Sequence, residues 1–465
     1  MDNTVFNMND KKQYLEIRLR TIDNFLDVDQ KQFAMSVIED RAIPSVIDGF
    51  KPVQRKIIYV ASKLWKSGGE KPMKVFQLGG QVSSLALYAH GDMSMNGAIT
   101  AMGQGFKNNL PLLEGIGQYG SLRVPNAGAP RYIGTKLSPN FRMIYKDFEL
   151  LEGKVEEGYE IEPSFFLPII PMVIVNGSSG IAVGYASNIL NRNPLDVTEA
   201  CLALLAGKRV PELKPWLSEF SGTYTRDADN PNRWAVSGSY KVVNTTTVRV
   251  TELPPSMTFE KYEEYLDSLV EKKVIADYEN NSSSGVDYLL KFTRADLKSL
   301  IDSRKLEGIL KVNASETENL TTLDEHGHLK IFDRVEDLVR YFVSYRLEWY
   351  ERRKAYMLDK LRDEYVTLIN RAKFVKAIIE RKLKVGNVPK SEVTDWLSKN
   401  KYDTRSGNYD YLLNMGISSL TKEKHEALLA ETKSVEARLD EMMKANPKDM
   451  YVSDLKELKK CLARK

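Results

Sequence analysis

At 465 residues the chain has room for roughly two to four structural units with cores of their own, which excludes a small stapled scaffold. Its 67 Lys and Arg stand against 63 Asp and Glu, a net charge of only +4, so it is no histone-like polycation. Any nucleic-acid surface must come from local clustering of basic side chains.

In chain order, the stretch from Met1 to Tyr14 is polar and lacks the apolar core of a signal peptide. No later stretch approaches the ~18 apolar residues of a membrane span, so the expectation is a soluble, cytoplasmic protein without membrane contact. Cys201 and Cys461 lack metal-type spacing, which fits a reducing cytosol and argues against a disulfide framework. Residues 1–30 read as a charged helical arm. Residues 31–165, dense in Gly and Pro with helical runs at Phe33–Ile38 and Val53–Leu64, suit a compact α/β unit rich in functional loops. In residues 166–334, β-branched runs such as Thr247-Val248-Arg249-Val250 are bounded by Pro254-Pro255 and the turn from Asn280 to Gly285, giving a second α/β unit. From 335 to 465 two apolar rows predict two long helices: Leu361, Tyr365, Leu368, Ala372, Val375 and Ile379, then Leu428, Thr432, Val435, Leu439 and Met442. Gly, Pro and aromatic residues over about 386–421 break the pattern and predict a small tip joining an antiparallel pair. No internal repeat or low-complexity tail accompanies these segments.

The chemistry concentrates in five short runs. Asp40-Arg41-Ala42-Ile43-Pro44 and Asp48-Gly49-Phe50-Lys51-Pro52-Val53-Gln54-Arg55-Lys56 place four basic residues, Arg41, Lys51, Arg55 and Lys56, around two prolines, so that their charges are expected to converge on one phosphate path near a helix start. His90-Gly91-Asp92 follows. In Ala129-Pro130-Arg131-Tyr132-Ile133, Tyr132 is a candidate nucleophile. A phenol titrates near ~10, so it needs a neighbouring cation or metal, and the Arg131 guanidinium can bind two phosphate oxygens at once. Finally Ile181, between Gly180 and Gly184 in Ser178-Ser179-Gly180-Ile181-Ala182-Val183-Gly184, is an apolar residue on a loop whose glycines permit close approach to a duplex. Gly115-Ile116-Gly117-Gln118-Tyr119-Gly120 fits the dinucleotide pattern G-x-G-x-x-G, but no apolar strand precedes it and no amphipathic helix follows. There is no P-loop and no convincing acidic cluster for magnesium, so no metal ligand is assigned in this chain.

This series of motifs, in this order, resembles the cleavage-and-rejoining subunit of type IIA DNA topoisomerases, and a free-standing subunit of this length resembles the T4-type phage branch. Gln54, where gyrase-type relatives carry His and eukaryotic-type relatives also use Gln, suggests the eukaryotic-type branch; Ile116 and Gln118 depart from the Gln and Asn usual in the family's glycine loop. The resemblance implies an α+β multidomain fold: a winged-helix domain (31–165), an α/β tower domain (166–334), and a long antiparallel coiled coil with a helical C-gate tip (335–465). It implies that Tyr132, Arg131 and His90 are catalytic, that Arg41, Lys51, Arg55 and Lys56 line the cleavage site or grip the flanking backbone, and that Ile181 wedges between base steps. Implied partners are double-stranded DNA, a second copy of the chain, and a further polypeptide bearing the ATPase and TOPRIM domains, which would hold ATP and magnesium. The expected outcome is ATP-dependent relaxation, decatenation and unknotting through a transient 5′-phosphotyrosine. Two readings compete with it: a non-catalytic DNA-bending protein of the same shape, and a cofactor-binding enzyme using the glycine loop.

Overall fold

The computed structural model describes residue 22 and residues 25–464, apart from Gly68, Ser284, Asn387, Ser406 and residues 417–419. The arm expected over residues 1–30 lies outside the described residues except for Ile22 and a π-helical stretch, Phe25–Gln30. The fold mixes helices and antiparallel sheets and divides into two compact units. One comprises residues 1–138, 172–193 and 214–335; the other, residues 139–171, 194–213 and 336–465. Among the described residues no helix is long and apolar enough to cross a membrane.

In the first unit, helix α1 (Pro52–Leu64) opens with Pro at its first position, where the missing N–H is not needed. Gln54 reaches back so that its Oε1 accepts the Lys51 N–H at 2.9 Å. The same Lys-x-x-Gln device starts α2 (Val75–Leu85), where Gln77 Oε1 accepts the Lys74 N–H at 3.0 Å. Helix α3 (Asp92–Gly103) follows. Strands β1 (Met73–Lys74), β2 (Leu113–Ile116) and β3 (Gly134–Leu137) form a small antiparallel sheet in the order β1-β3-β2. Strands β4 (Ser178–Ile181) and β5 (Ala186–Ile189) form a hairpin.

Beyond them, β6 (Thr223–Arg226), β7 (Arg233–Ser237) and a later strand, β12 (Asn313–Thr317), make one sheet. Strands β8 (Ser239–Val242), β9 (Thr247–Glu252), β10 (Asp277–Asn280) and β11 (Tyr288–Lys291) make a second, ordered β8-β9-β11-β10. Helix α4 (Phe259–Glu271) covers this sheet with Tyr262, Leu266 and Leu269, which pack on Val248, Val250, Tyr288 and Leu290. Alternate residues of β9 are buried, the period-2 pattern of a half-covered strand. Strands β13 (Leu320–Leu323) and β14 (Leu329–Phe332) close the unit as a hairpin.

The second unit is dominated by α5 (Val335–Ile379), 45 residues and so roughly 68 Å long, and α6 (Lys422–Lys444). Their apolar rows meet in one cluster of Leu361, Leu368, Ala372, Val375, Leu428 and Val435. Lys354 bonds to the Met443 carbonyl and Tyr365 to Glu436, so the two helices run antiparallel. Between them a separate small core forms around Phe374, Leu383, Val393, Leu397 and Leu412. Helix α7 (Pro447–Leu462) returns to the base of α5, where Asp454 accepts from Tyr350 and Arg353 at 2.7 Å each and from Lys146 at 3.1 Å. Asp147, in the left-handed region at φ 63°, pairs with Arg346 and Arg353 in the same network.

The first unit holds a buried bidentate ion pair, Arg192 to Glu318 at 2.6 and 2.7 Å. Removing one partner strands the other charge in a low-dielectric interior. Arg192→Met is therefore expected to destabilise this unit by about 3–5 kcal/mol, whereas Arg192→Met with Glu318→Leu should lie much closer to the parent. Urea unfolding followed by tryptophan fluorescence checks both; equal losses in the single and double variants would show that packing, not charge, fixes the site.

Candidate functional site

Tyr132 sits on a tight turn between the glycine loop and β3. Its N–H and that of Ile133 both donate to the Ala129 carbonyl, at 2.8 and 3.3 Å. The side chain is 72% exposed, unusual for an aromatic ring whose neighbours Ile133, Gly134 and Thr135 are buried. Arg131 is exposed beside it, and among the described residues neither side chain forms a hydrogen bond, ion pair or ring contact. The turn is held from outside by the first turn of α2: Phe76 N–H donates to the Pro130 carbonyl and Val75 N–H to that of Ile133, both at 3.2 Å, and Lys74 Nζ donates to the Tyr132 carbonyl at 2.7 Å.

The glycine loop serves that turn. Gly115 lies inside β2 with the Tyr119 ring against it, and Gly103 meets the same ring; a Cβ at either glycine would lie 2.7 Å from it. Tyr119 Oη donates to the Gly134 carbonyl at 2.9 Å, two residues past Tyr132. Gly120, at φ +79°, has no room for a Cβ beside the Val124 carbonyl. The spacing G-x-G-x-x-G thus accommodates one aromatic ring and a turn. Arg123 anchors the far side of the loop: buried, it donates to the Pro254 and Met257 carbonyls at 2.8 Å and to Glu252 at 2.5 Å.

The other basic residues divide into two groups. Arg41 and His90 are exposed. His90 lies edge-on to Tyr88 at 5.3 Å, and the Tyr88 phenol is pushed up by burial against the opposing charge of Arg41, so Arg41, Tyr88 and His90 share one surface. Lys51, Lys56 and Arg55 are engaged with protein. Lys51 Nζ donates to the Ser179 carbonyl on β4 at 2.6 Å, and burial lowers the pKa of its ammonium. Lys56 Nζ donates at 2.6 Å to the carbonyl of Ala86, the residue that ends α2. Arg55 corrects the expectation of four charges on one phosphate path. It is only 7% exposed, and its guanidinium is bound to Asp48 at 2.6 and 3.1 Å, which leaves no free fork for a phosphate. Asp48 in turn accepts the Phe50 N–H at 2.9 Å, so the pair shapes the loop that presents Lys51.

Ile181 ends β4 at the hairpin tip and is 86% exposed, with Val183 and Tyr185 partly exposed beside it. Gly180 explains how the tip is seated: a Cβ there would lie 2.1 Å from the Ala42 carbonyl and 2.9 Å from Lys51 Nζ. Among the described residues no group of three or more His, Cys, Asp or Glu could hold a metal ion. Sequence reasoning missed Asp48, although it stands inside one of the five runs, and Lys74, whose only sequence signal was the Lys-x-x-Gln start shared with Lys51.

Residues 41–457, spanning all of these features, match the sequence pattern of the DNA gyrase/topoisomerase IV A-subunit family. The chain belongs to this topoisomerase family. It is 32% identical to the DNA topoisomerase medium subunit of Enterobacteria phage T4, over 96% of this chain and 100% of that one. It is 31% identical to DNA topoisomerase 2 of Arabidopsis thaliana over 95% of this chain, but spans only 33% of that protein. The fold superposes on the crystal structure of the Plasmodium falciparum topoisomerase II DNA-binding, cleavage and re-ligation domain with a TM-score of 0.83 at 30% identity, covering 92% of this chain and 63% of that one. The topoisomerase family's members thus include proteins that carry a region like this chain inside a longer polypeptide.

Gly180→Ala forces a Cβ into the Ala42 carbonyl, so the β4–β5 hairpin has to move; a cost of about 1–3 kcal/mol is expected, typical of overpacking. Denaturant unfolding with hydrogen exchange across residues 178–189 reads it. Parent-like stability and protection would mean the hairpin is not seated on this contact.

Proposed function

We propose that this chain is the DNA-breaking and rejoining subunit of a type IIA topoisomerase, with Tyr132 as nucleophile. The observation that carries the reading is an exposed tyrosine beside a free arginine, on a turn whose backbone is bonded on all sides. In the reaction the Tyr132 oxygen forms a bond to a backbone phosphorus as the bond to the 3′ oxygen breaks. The phenol loses its proton, the 3′ oxygen gains one, and a 5′-phosphotyrosine holds the break. The new ester is close in energy to the old one, so reversal reseals the strand. Arg131 binds the non-bridging oxygens as charge builds on them, and His90 and Arg41 grip the same backbone. Lys51 and Lys56 serve this surface from behind, by fixing β4 and the end of α2. Arg55 acts through Asp48 on the loop of Lys51. Ile181 enters between base steps and bends the duplex.

In this reading the family's domain names apply: winged helix for 31–165, tower for 166–334, and coiled coil with C-gate tip for 335–465. Two copies each cut one strand, and a second duplex passes. In this reading magnesium and ATP belong to a TOPRIM- and ATPase-bearing partner. A relative named as a medium subunit fits such a division of labour. Relaxation, decatenation and unknotting in a host cytoplasm follow.

Tyr132→Phe is expected to abolish the detergent-trapped covalent complex, with partner and magnesium present, while duplex affinity stays within about twofold. A normal yield of adduct would remove Tyr132 from the reaction; duplex binding without any adduct in the parent would favour a DNA-bending protein. Ile181→Ala should keep cleavage chemistry but reduce the bend of a fluorophore-labelled duplex measured by energy transfer; an unchanged bend would take Ile181 out of the stack.

A further inference from the structure

We propose that Lys74 is a positioning residue for the nucleophile: its ammonium fixes the peptide that carries Tyr132, and so fixes where the phenol points. The inference rests on the reading of Tyr132 as nucleophile. Three consecutive residues, 74 to 76, supply donors to the Tyr132 turn, and each takes a different carbonyl: Pro130 from Phe76, Ile133 from Val75, and Tyr132 from Lys74. The first two are backbone N–H groups at the start of α2, which any residue other than proline would supply. The third alone depends on a side chain, and it lands on the carbonyl of the nucleophile itself.

Lys74 is well held for that task. Its N–H is fixed by Gln77, its Cα pairs with Gly134 across the β1–β3 sheet, and the helix it caps is packed through Val75, Leu78 and Val82. A cation donating to a carbonyl makes a stronger bond than a neutral donor, and it stands on the backbone of a residue whose ring has no partner. Without it, the Tyr132 peptide is free to rock between the Ala129 and Ile133 bonds. A shift of about 1 Å at a reacting atom is worth on the order of a hundredfold in rate.

The alternative is that Lys74 is simply a phosphate contact, and the two roles separate on different readouts. With the full chain, magnesium and the partner polypeptide together, the rate of covalent-complex formation at saturating DNA is measured for the parent, Lys74→Met and Lys74→Arg, with Tyr132→Phe as control. Duplex affinity is measured from low to moderate salt. The proposal expects a fall of at least tenfold in the Lys74→Met rate, affinity and salt dependence like the parent, and substantial recovery in Lys74→Arg, which keeps a charged donor. An unchanged Lys74→Met rate overturns it. So does weakened binding with a salt slope smaller by about one unit, the mark of a lost phosphate contact. So does a folded Lys74→Arg, judged by its thermal midpoint, that recovers nothing. Adduct formation by Tyr132→Phe would instead strike the nucleophile assignment, so the two failures stay distinct.

Discussion

The constraint on which the functional surface depends is the seating of one exposed tyrosine on a hydrogen-bonded turn. A phenol at 72% exposure gains little from packing, so its direction must come from the peptide behind it. Here the Ala129–Ile133 turn is bonded to itself, to the start of α2 and, through Tyr119, to the first residue of β3. Preorganisation of this kind places the cost of ordering in the fold rather than in the reaction.

The remaining polar side chains of the first unit extend that scaffold. Arg55 and Asp48 form a buried pair that sets the loop of Lys51; Lys51 then holds β4, and β4 carries Ile181 to the hairpin tip. Lys56 fixes the end of α2, whose start holds the tyrosine. Arg123 ties the loop preceding the tyrosine to the end of β9. Arg41, His90 and Arg131 are left exposed.

Much of this was legible in the sequence where the cause is local. The rows from Leu361 to Ile379 and from Leu428 to Met442 showed their helices because burial repeats every three to four residues, and they do pack on one another. The Pro52 start of α1 and the strand at Thr247 were equally plain. What the sequence hid was partnership at a distance. A lysine or arginine on the first turn of a helix looks the same whether it faces solvent or a carboxylate, so Arg55 reads as a DNA contact while its charge is spent on Asp48. Lys51 meets a carbonyl 128 residues away and Lys56 one 30 residues away, which no spacing rule encodes. The glycine loop could be rejected as a cofactor site from its flanks, but the packing of Tyr119 against Gly115 of the loop and Gly103 of α3 is a tertiary contact that no local pattern encodes. The interleaving of residues 139–171 and 194–213 with the long helices is likewise a property of tertiary contacts, invisible to a division of the chain by composition.

The central claim is that one named oxygen in this chain becomes bonded to DNA. It is tested most directly by trapping the complex on DNA with its partner and magnesium, digesting the DNA and protein, and locating the nucleotide-bearing peptide by mass spectrometry. The account predicts a nucleotide mass on the peptide containing Tyr132, attached at that residue. An adduct located on any other residue of this chain would contradict it.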